Sequence, residues 1–112
     1  MSKYDLYLND ILRAIALIEK SLKGKKFEDF KKQQDLIDAN AMRLQIIGES
    51  STKLPNSLKK KHKEVDWNKL TQTRNILSHA YFAINVNLLW DIINKQIPLI
   101  KKTIQDMKKE LK

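Results

Sequence analysis

Only two glycines and two prolines occur among the 112 residues of this chain. The repeated tight turns of an all-β fold need more of these residues, so their scarcity favours helices joined by short loops. Apolar residues also recur at steps of three and four along most of the chain, which is the period of one helix face. The sequence therefore predicts an all-α fold, an antiparallel bundle of four to five helices, in a single domain over residues 1–112.

The first half of the chain contains two of the predicted helices. The first helix ends near Gly24, because glycine tolerates the conformation in which many helices stop. A long second helix runs from about Asp29 to Lys53 and stops before Pro55. Gly48 inside this helix is expected to mark a close contact with another helix. The lysine-rich segment 55–62 is interpreted as a connecting helical turn or loop, with its proline at a plausible first helical position.

The second half of the chain contains the other two main helices. Asp66 is suited to cap a third helix, from Trp67 to about His79, because its carboxylate can accept the free N–H groups of the first turn. Asn85 is the expected cap of the last helix, from Val86 to about Leu111. Pro98 should kink that helix, because its ring removes one backbone hydrogen bond.

Composition and charge narrow the function classes. The net charge of +9 suits a polyanionic partner such as RNA, although a codon bias toward A and T could produce the same excess of lysine. The absence of cysteine excludes disulfides and thiolate metal sites, and the two histidines have no metal-ligand spacing, so we expect neither a metal nor another cofactor. Short apolar runs and the lack of a signal peptide at the N-terminus predict a cytoplasmic protein that does not span a membrane.

A band of polar residues interrupts the apolar pattern of the third helix. Arg74, Ser78 and Tyr81 follow helical spacings of four and three, and Asn75 and His79 form a second pair four residues apart. Arginine is rare in this chain, and its planar guanidinium suits a phosphate better than lysine does. A histidine can accept and return a proton near neutral pH. The combination favours phosphodiester chemistry.

Structural interpretations remain open at several of these positions. Arg74 could be an ordinary surface charge, and Glu49 could be either its buried partner or an exposed helix acid. His62 lies in a lysine run and is interpreted as a solvated residue outside the site. Trp67 and Trp90 are expected to belong to the core rather than to stack on bases.

The segment from Arg74 through His79 to Tyr81 resembles a known family motif. It has the Arg-x4-His-x-Tyr pattern of HepT-like proteins of the HEPN superfamily (higher eukaryotes and prokaryotes nucleotide-binding), toxins encoded with a minimal nucleotidyltransferase antitoxin. The resemblance extends in order over nearly the whole chain, through Tyr7 to Leu12, Ile46 to Glu49, Trp67 and Asn75.

This resemblance implies a HEPN-like bundle that forms a homodimer, in which two copies of the motif line one cleft. It implies a metal-independent ribonuclease acting on RNA, with Arg74 and His79 as catalytic residues and Asn75, Ser78 and Glu49 in support. It further implies that the partner nucleotidyltransferase uses ATP to attach AMP to Tyr81 and so silences the toxin.

One histidine per motif gives a chemical reason for a dimer. Cleavage by the 2′-hydroxyl needs a base and an acid, which His79 of two copies could supply while Arg74 stabilises the phosphate charge. Tyr81 is an alternative proton donor, though a weaker one at neutral pH. Two other hypotheses stay open: a non-catalytic nucleotide- or RNA-binding partner of a nucleotidyltransferase, and a generic helical interaction protein.

Overall fold

All regular structure in the described part of the chain is helical. The structure, a computed structural model, describes residues 3–79 and 85–111, apart from the side chain of His79. Within these residues there are seven helices and no strand. The helices are α1 (Asp5–Leu22), α2 (Phe27–Lys31), α3 (Gln34–Thr52), α4 (Asn56–Lys60), α5 (Trp67–His79), α6 (Val86–Lys95) and α7 (Ile97–Glu110). The predicted all-α fold is confirmed.

Helix α3 lies at the centre of the bundle, between α1 and α5, while α1 also packs against α7 and α6 against α7. Helices α1 and α7 run antiparallel, because Glu19 contacts Lys101 while Asn9 contacts Lys108. Helices α1, α3, α6 and α7 each turn one apolar stripe inward, as the spacing of three and four predicts. The α1 and α7 stripes are fully enclosed and include Leu8, Ile11, Ile15, Ile18, Ile100, Ile104 and Met107.

The predicted second helix is wrong in one respect, because two helices replace it. The chain leaves helical conformation at Gln33, whose φ of −114° and ψ of 94° are extended. Phe30 is fully buried and packs against Trp90, with ring centroids 5.1 Å apart. Residues 31–34 are all polar, so no apolar side chain holds a continuous helix onto the core beyond Phe30. Helix α2 therefore ends just after Phe30, the residue that anchors it in the core.

The last predicted helix is broken rather than kinked. Helix α6 ends at Lys95 and α7 begins at Ile97, with Gln96 between them. Pro98 occupies the first turn of α7, where a missing N–H costs nothing because first-turn N–H groups have no helical acceptor. Starting a new helix accommodates the proline better than bending the old one.

Several local predictions are confirmed. Gly24 follows α1 with a φ of +74°, the left-handed conformation that glycine adopts at little cost. Asp66 Oδ1 accepts a hydrogen bond from Lys69 N at 3.0 Å, and Asn85 Oδ1 accepts one from Leu88 N at 3.1 Å, so both residues cap their helices. Among the helices described, none combines the length and the hydrophobicity needed to cross a bilayer.

Candidate active site on helix α5

The motif helix α5 is held against the central helix by an unusually close contact. A Cβ atom added to Gly48 would lie 2.6 Å from Arg74 Cβ and 3.0 Å from the carbonyl oxygen of Leu70. No side chain fits in that space, so glycine allows the backbones of α3 and α5 to approach. The expected close helix contact at Gly48 is thus confirmed, and it lies directly beside the motif arginine.

Arg74 and Glu49 face each other across this contact. Arg74 Nε lies 3.5 Å from Glu49 Oε2, with 29% of the arginine side chain and 52% of the glutamate side chain exposed. Nε is buried and has no hydrogen-bond partner in the described structure, so the contact is an ion pair without a well-formed hydrogen bond. Of the two interpretations of Glu49, the structure therefore supports the arginine partner, but an exposed rather than a buried one.

The hydrogen-bond donors at the outer part of the guanidinium are unused among the described residues. Within residues 3–79 and 85–111, neither of its two terminal nitrogens donates a hydrogen bond. A guanidinium presents its donors in a fixed plane that matches two oxygens of a phosphate. Glu49 contacts the guanidinium at Nε without a hydrogen bond, so the donors of this plane suit an anion such as a phosphate.

The two smaller polar residues of the motif occupy different surroundings. Ser78 Oγ donates a hydrogen bond to Arg74 O at 2.8 Å, so its hydroxyl proton is used inside the helix. Asn75 is exposed, about 100° around the helix from Arg74. Asn75 is therefore exposed to a ligand, whereas the Ser78 hydroxyl is used in a hydrogen bond within its own helix.

The remaining motif residues lie at the edge of the described region. His79 is the last residue of α5, and its side chain is outside the description. Tyr81 lies outside the described residues. The roles of both residues stay predictions.

The other histidine of the chain, His62, is not solvated as its lysine-rich surroundings suggest. It is 8% exposed, with Nδ1 3.1 Å from Glu64 Oε1 and Nε2 2.9 Å from Glu110 Oε1. Its carbonyl oxygen also accepts a hydrogen bond from Trp67 Nε1 at 3.0 Å. Glu110 lies 48 residues away in the sequence, on α7, so no local pattern around His62 indicates this contact. Both ring nitrogens are engaged, and His62 serves to tie α7 to the turn before α5.

Glu64 completes this cluster. A hydrogen bond from its own backbone N–H, with further ones from His62 and Thr103, holds the pKa of Glu64 below its ordinary value, although burial acts in the opposite direction. Thr103 Oγ1 donates at 3.2 Å to the same oxygen that faces His62. Every polar group at the centre of the His62 cluster therefore has a partner.

Metal ligands are not grouped anywhere in the part of the chain that the structure describes. No set of three or more His, Asp or Glu side chains there is arranged to hold an ion. The two tryptophans pack partly against the core, as predicted, although both remain partly exposed.

The fold and the site define a class of protein. It is an all-helical bundle with a polar motif on a helix beside its central helix. The family model described as Ribonuclease HepT-like matches residues 11–107. The chain therefore belongs to the HepT-like ribonuclease family, whose fold is the HEPN helical bundle.

Individual relatives agree with this family. The chain is 38% identical over 103 residues to the "Probable ribonuclease HepT" of Thermococcus cleftensis, covering 92% of this chain and 94% of that protein. It is 36% identical over 101 residues to a candidate RNase of Caldanaerobacter subterraneus, covering 90% of each. A Methanocaldococcus jannaschii protein, named as a gamma-glutamylcyclotransferase and candidate RNase, is 37% identical over 106 residues, which are 95% of this chain but 48% of that longer relative. No solved structure gives a significant match.

Proposed function

We propose that this chain is the toxin of a toxin–antitoxin pair and cuts RNA without a metal ion. The observation that carries the proposal is the complete Arg-x4-His-x-Tyr motif in a chain of the HepT-like ribonuclease family, together with a guanidinium at Arg74 that donates no hydrogen bond within the described residues. A guanidinium and an imidazole in one motif suit the charge and the proton transfers of phosphodiester cleavage.

The proposed reaction uses two copies of the chain. His79 of one copy accepts the proton of the RNA 2′-hydroxyl, whose oxygen attacks the adjacent phosphorus. The bond from phosphorus to the 5′-oxygen breaks, and His79 of the other copy protonates that leaving oxygen. Arg74 stabilises the negative charge that develops on the phosphate. The products are a 2′,3′-cyclic phosphate and a free 5′-hydroxyl.

Exposed apolar residues beside the motif support the proposed homodimer. Ile76 on α5 is 55% exposed and Leu88 on α6 is 44% exposed, and both line one small cavity. A second copy covering these side chains would remove apolar surface from water and bring the two motifs together. We expect Ile76→Glu to give monomers that do not cut RNA, whereas Leu99→Glu, on the similarly exposed Leu99 of α7, should leave the dimer and the activity intact.

The direct test is cleavage of labelled RNA in EDTA. Wild-type protein should cut, Arg74→Ala and His79→Ala should not, and an all-deoxy version of the substrate should stay intact because it lacks the attacking hydroxyl. When an excess of His79→Ala protein exchanges subunits with wild type, most wild-type chains pair with a variant chain. The activity should then fall more steeply than the fraction of wild-type chains in the mixture. Equal cutting of deoxy substrate would refute the mechanism. RNA binding without cutting, by protein free of modification, would instead indicate a non-catalytic binding module.

The proposed control of the toxin is transfer of AMP to Tyr81. The tyrosine oxygen attacks the α-phosphorus of ATP on the partner nucleotidyltransferase, and pyrophosphate leaves. The added phosphate would put negative charge near Arg74 and compete with RNA for it. Incubation with the partner and ATP should add the mass of one AMP to wild type and to Tyr7→Phe, but not to Tyr81→Phe. Modification of Tyr81→Phe would contradict the assignment.

A further inference from the structure

A second positively charged feature lies away from the motif, where α4 leads into α5. It is a surface cavity of about 550 Å³, lined by Lys59, Lys60 and Lys63 and by Asp66, Trp67 and Asn68 at the start of α5. In the sequence these lysines form an unremarkable charge run. In the fold they lie around one concavity.

The lysines of this cavity differ in their availability. Lys59 Nζ donates a hydrogen bond to the carbonyl oxygen of Ser51 at 3.2 Å, which fixes α4 against the end of α3. Lys60 and Lys63 are exposed and have no hydrogen bond or ion pair with any side chain in the described ranges. The one carboxylate present, Asp66, is committed to capping α5. The cavity therefore offers two free ammonium groups to an anion.

An aromatic ring forms part of the same cavity. The Nε1–H of Trp67 donates to the carbonyl oxygen of His62 at 3.0 Å, and His62 is itself fixed by Glu64 and Glu110. The indole is thus held in position while still partly exposed. A fixed, partly exposed indole beside free lysines is the combination with which proteins bind single-stranded nucleic acid, by stacking on a base and pairing with its phosphate.

The position of the cavity relative to Arg74 also suits an RNA strand. Trp67 and Arg74 are seven residues apart on α5, so they share a face and lie about 10 Å apart along the helix axis. A short single strand can span two helical turns. We propose that this cavity binds RNA outside the cleavage site, with a backbone phosphate between Lys60 and Lys63 and a base on Trp67. The inference rests on the proposed function, since it assumes that RNA is the substrate.

The test compares two double variants of equal charge. One is Lys60→Gln with Lys63→Gln, and the control is Lys20→Gln with Lys32→Gln, two exposed lysines without partners in the described structure. The probe is a 2′-O-methylated oligonucleotide of about 12 nucleotides, which cannot be cut by the proposed mechanism. The cavity variant should bind it about tenfold more weakly, through loss of a charge-assisted contact. The slope of the logarithm of the association constant against the logarithm of the salt concentration should become less steep by about 0.7, the value for one phosphate contact.

A second readout reports on the indole. Trp90→Phe leaves Trp67 as the sole tryptophan of the chain. Its fluorescence should be quenched when the oligonucleotide binds, and the cavity variant should show this quenching only at higher RNA concentration. Unquenched fluorescence at saturation, or an unchanged affinity and salt slope in the cavity variant, would overturn the inference.

Cleavage assays keep this inference separate from the proposed activity. For cleavable RNA, the cavity variant should raise KM about tenfold and leave kcat unchanged. If Arg74→Ala abolishes cutting while the cavity variant behaves as the control, the nuclease stands and the binding site does not. If the cavity variant binds more weakly but wild type never cuts, the binding site stands and the nuclease does not.

Discussion

Two clusters among the described residues, the His62 cluster and the Arg74–Glu49 pair, are built in opposite ways. In the His62 cluster, both imidazole nitrogens and the Glu64 oxygen that faces them have partners, and the histidine side chain is 10% exposed. In the Arg74–Glu49 pair, the two groups approach to 3.5 Å, and no guanidinium nitrogen of Arg74 donates a hydrogen bond in the described structure. A cluster whose polar groups all have partners stabilises the fold. A cluster with unpaired donors can still form hydrogen bonds with a ligand.

The largest expected effect concerns the guanidinium of Arg74. Arg74→Lys keeps the charge but loses the planar donors, so we expect kcat for RNA cleavage to fall about 10²-fold while the free energy of unfolding changes by less than about 0.5 kcal/mol. Cleavage kinetics and urea unfolding measure the two quantities.

Arg43→Lys is the matched control. Arg43 Nη1 donates to Asn40 Oδ1 at 3.1 Å, on the side of α3 that faces α1, so its replacement should leave kcat unchanged. Full activity of Arg74→Lys would mean that the planar donors of the guanidinium are not used.

The opposite pattern is expected for the His62 cluster. His62→Ala removes the link between α7 and the turn before α5, and it should lower the free energy of unfolding by about 1–3 kcal/mol. The folded variant should still cut RNA with the wild-type kcat. Thermal unfolding and a kcat measured well below the melting temperature test this. A lower kcat in folded His62→Ala protein would show that His62 contributes to activity as well as to stability.

Gly48→Ala should affect both the packing and the site, because the added methyl group meets Arg74 Cβ. The overpacking of α3 against α5 should cost about 1–3 kcal/mol, reduced by the better helix propensity of alanine. Displacement of Arg74 should also lower kcat. Gly24→Ala is the comparison, since a Cβ there meets no neighbour and disturbs only the positive φ. That variant should lose stability but keep its kcat.

The smallest expected effect is the pH dependence from Glu64. Its pKa is lowered in the folded state, so the folded state binds this proton more weakly than the unfolded chain does. The stabilisation from Glu64 should be complete above its ordinary pKa of about 4.3 and disappear as the pH falls through the lower folded value. The melting-temperature difference between wild type and Glu64→Gln should shrink over that acidic window. A constant difference would show that the carboxylate charge contributes nothing.

Local patterns of the sequence predict much of the fold. The bounds of α5, the Asp66 and Asn85 caps and the positive φ beyond α1 depend on residues only a few positions apart, and these predictions are confirmed. The break after α2 is only partly predictable in this way, because residues 31–34 are polar but the anchoring of α2 depends on Phe30 meeting Trp90, 60 residues later in the chain.

The same distinction between local patterns and tertiary packing applies to the candidate site. The motif spacing by itself determined which residues share the surface of α5, because helical geometry relates positions three, four and seven apart without reference to the rest of the protein. Only the tertiary structure decided what those residues face: that Gly48 admits Arg74 to the side of Glu49, that His62 reaches Glu110, and that a lysine run surrounds a cavity beside Trp67. The first two of these contacts join distant parts of the chain, and the cavity depends on the path of the chain between α4 and α5. None of the three therefore follows from the pattern within any one helix.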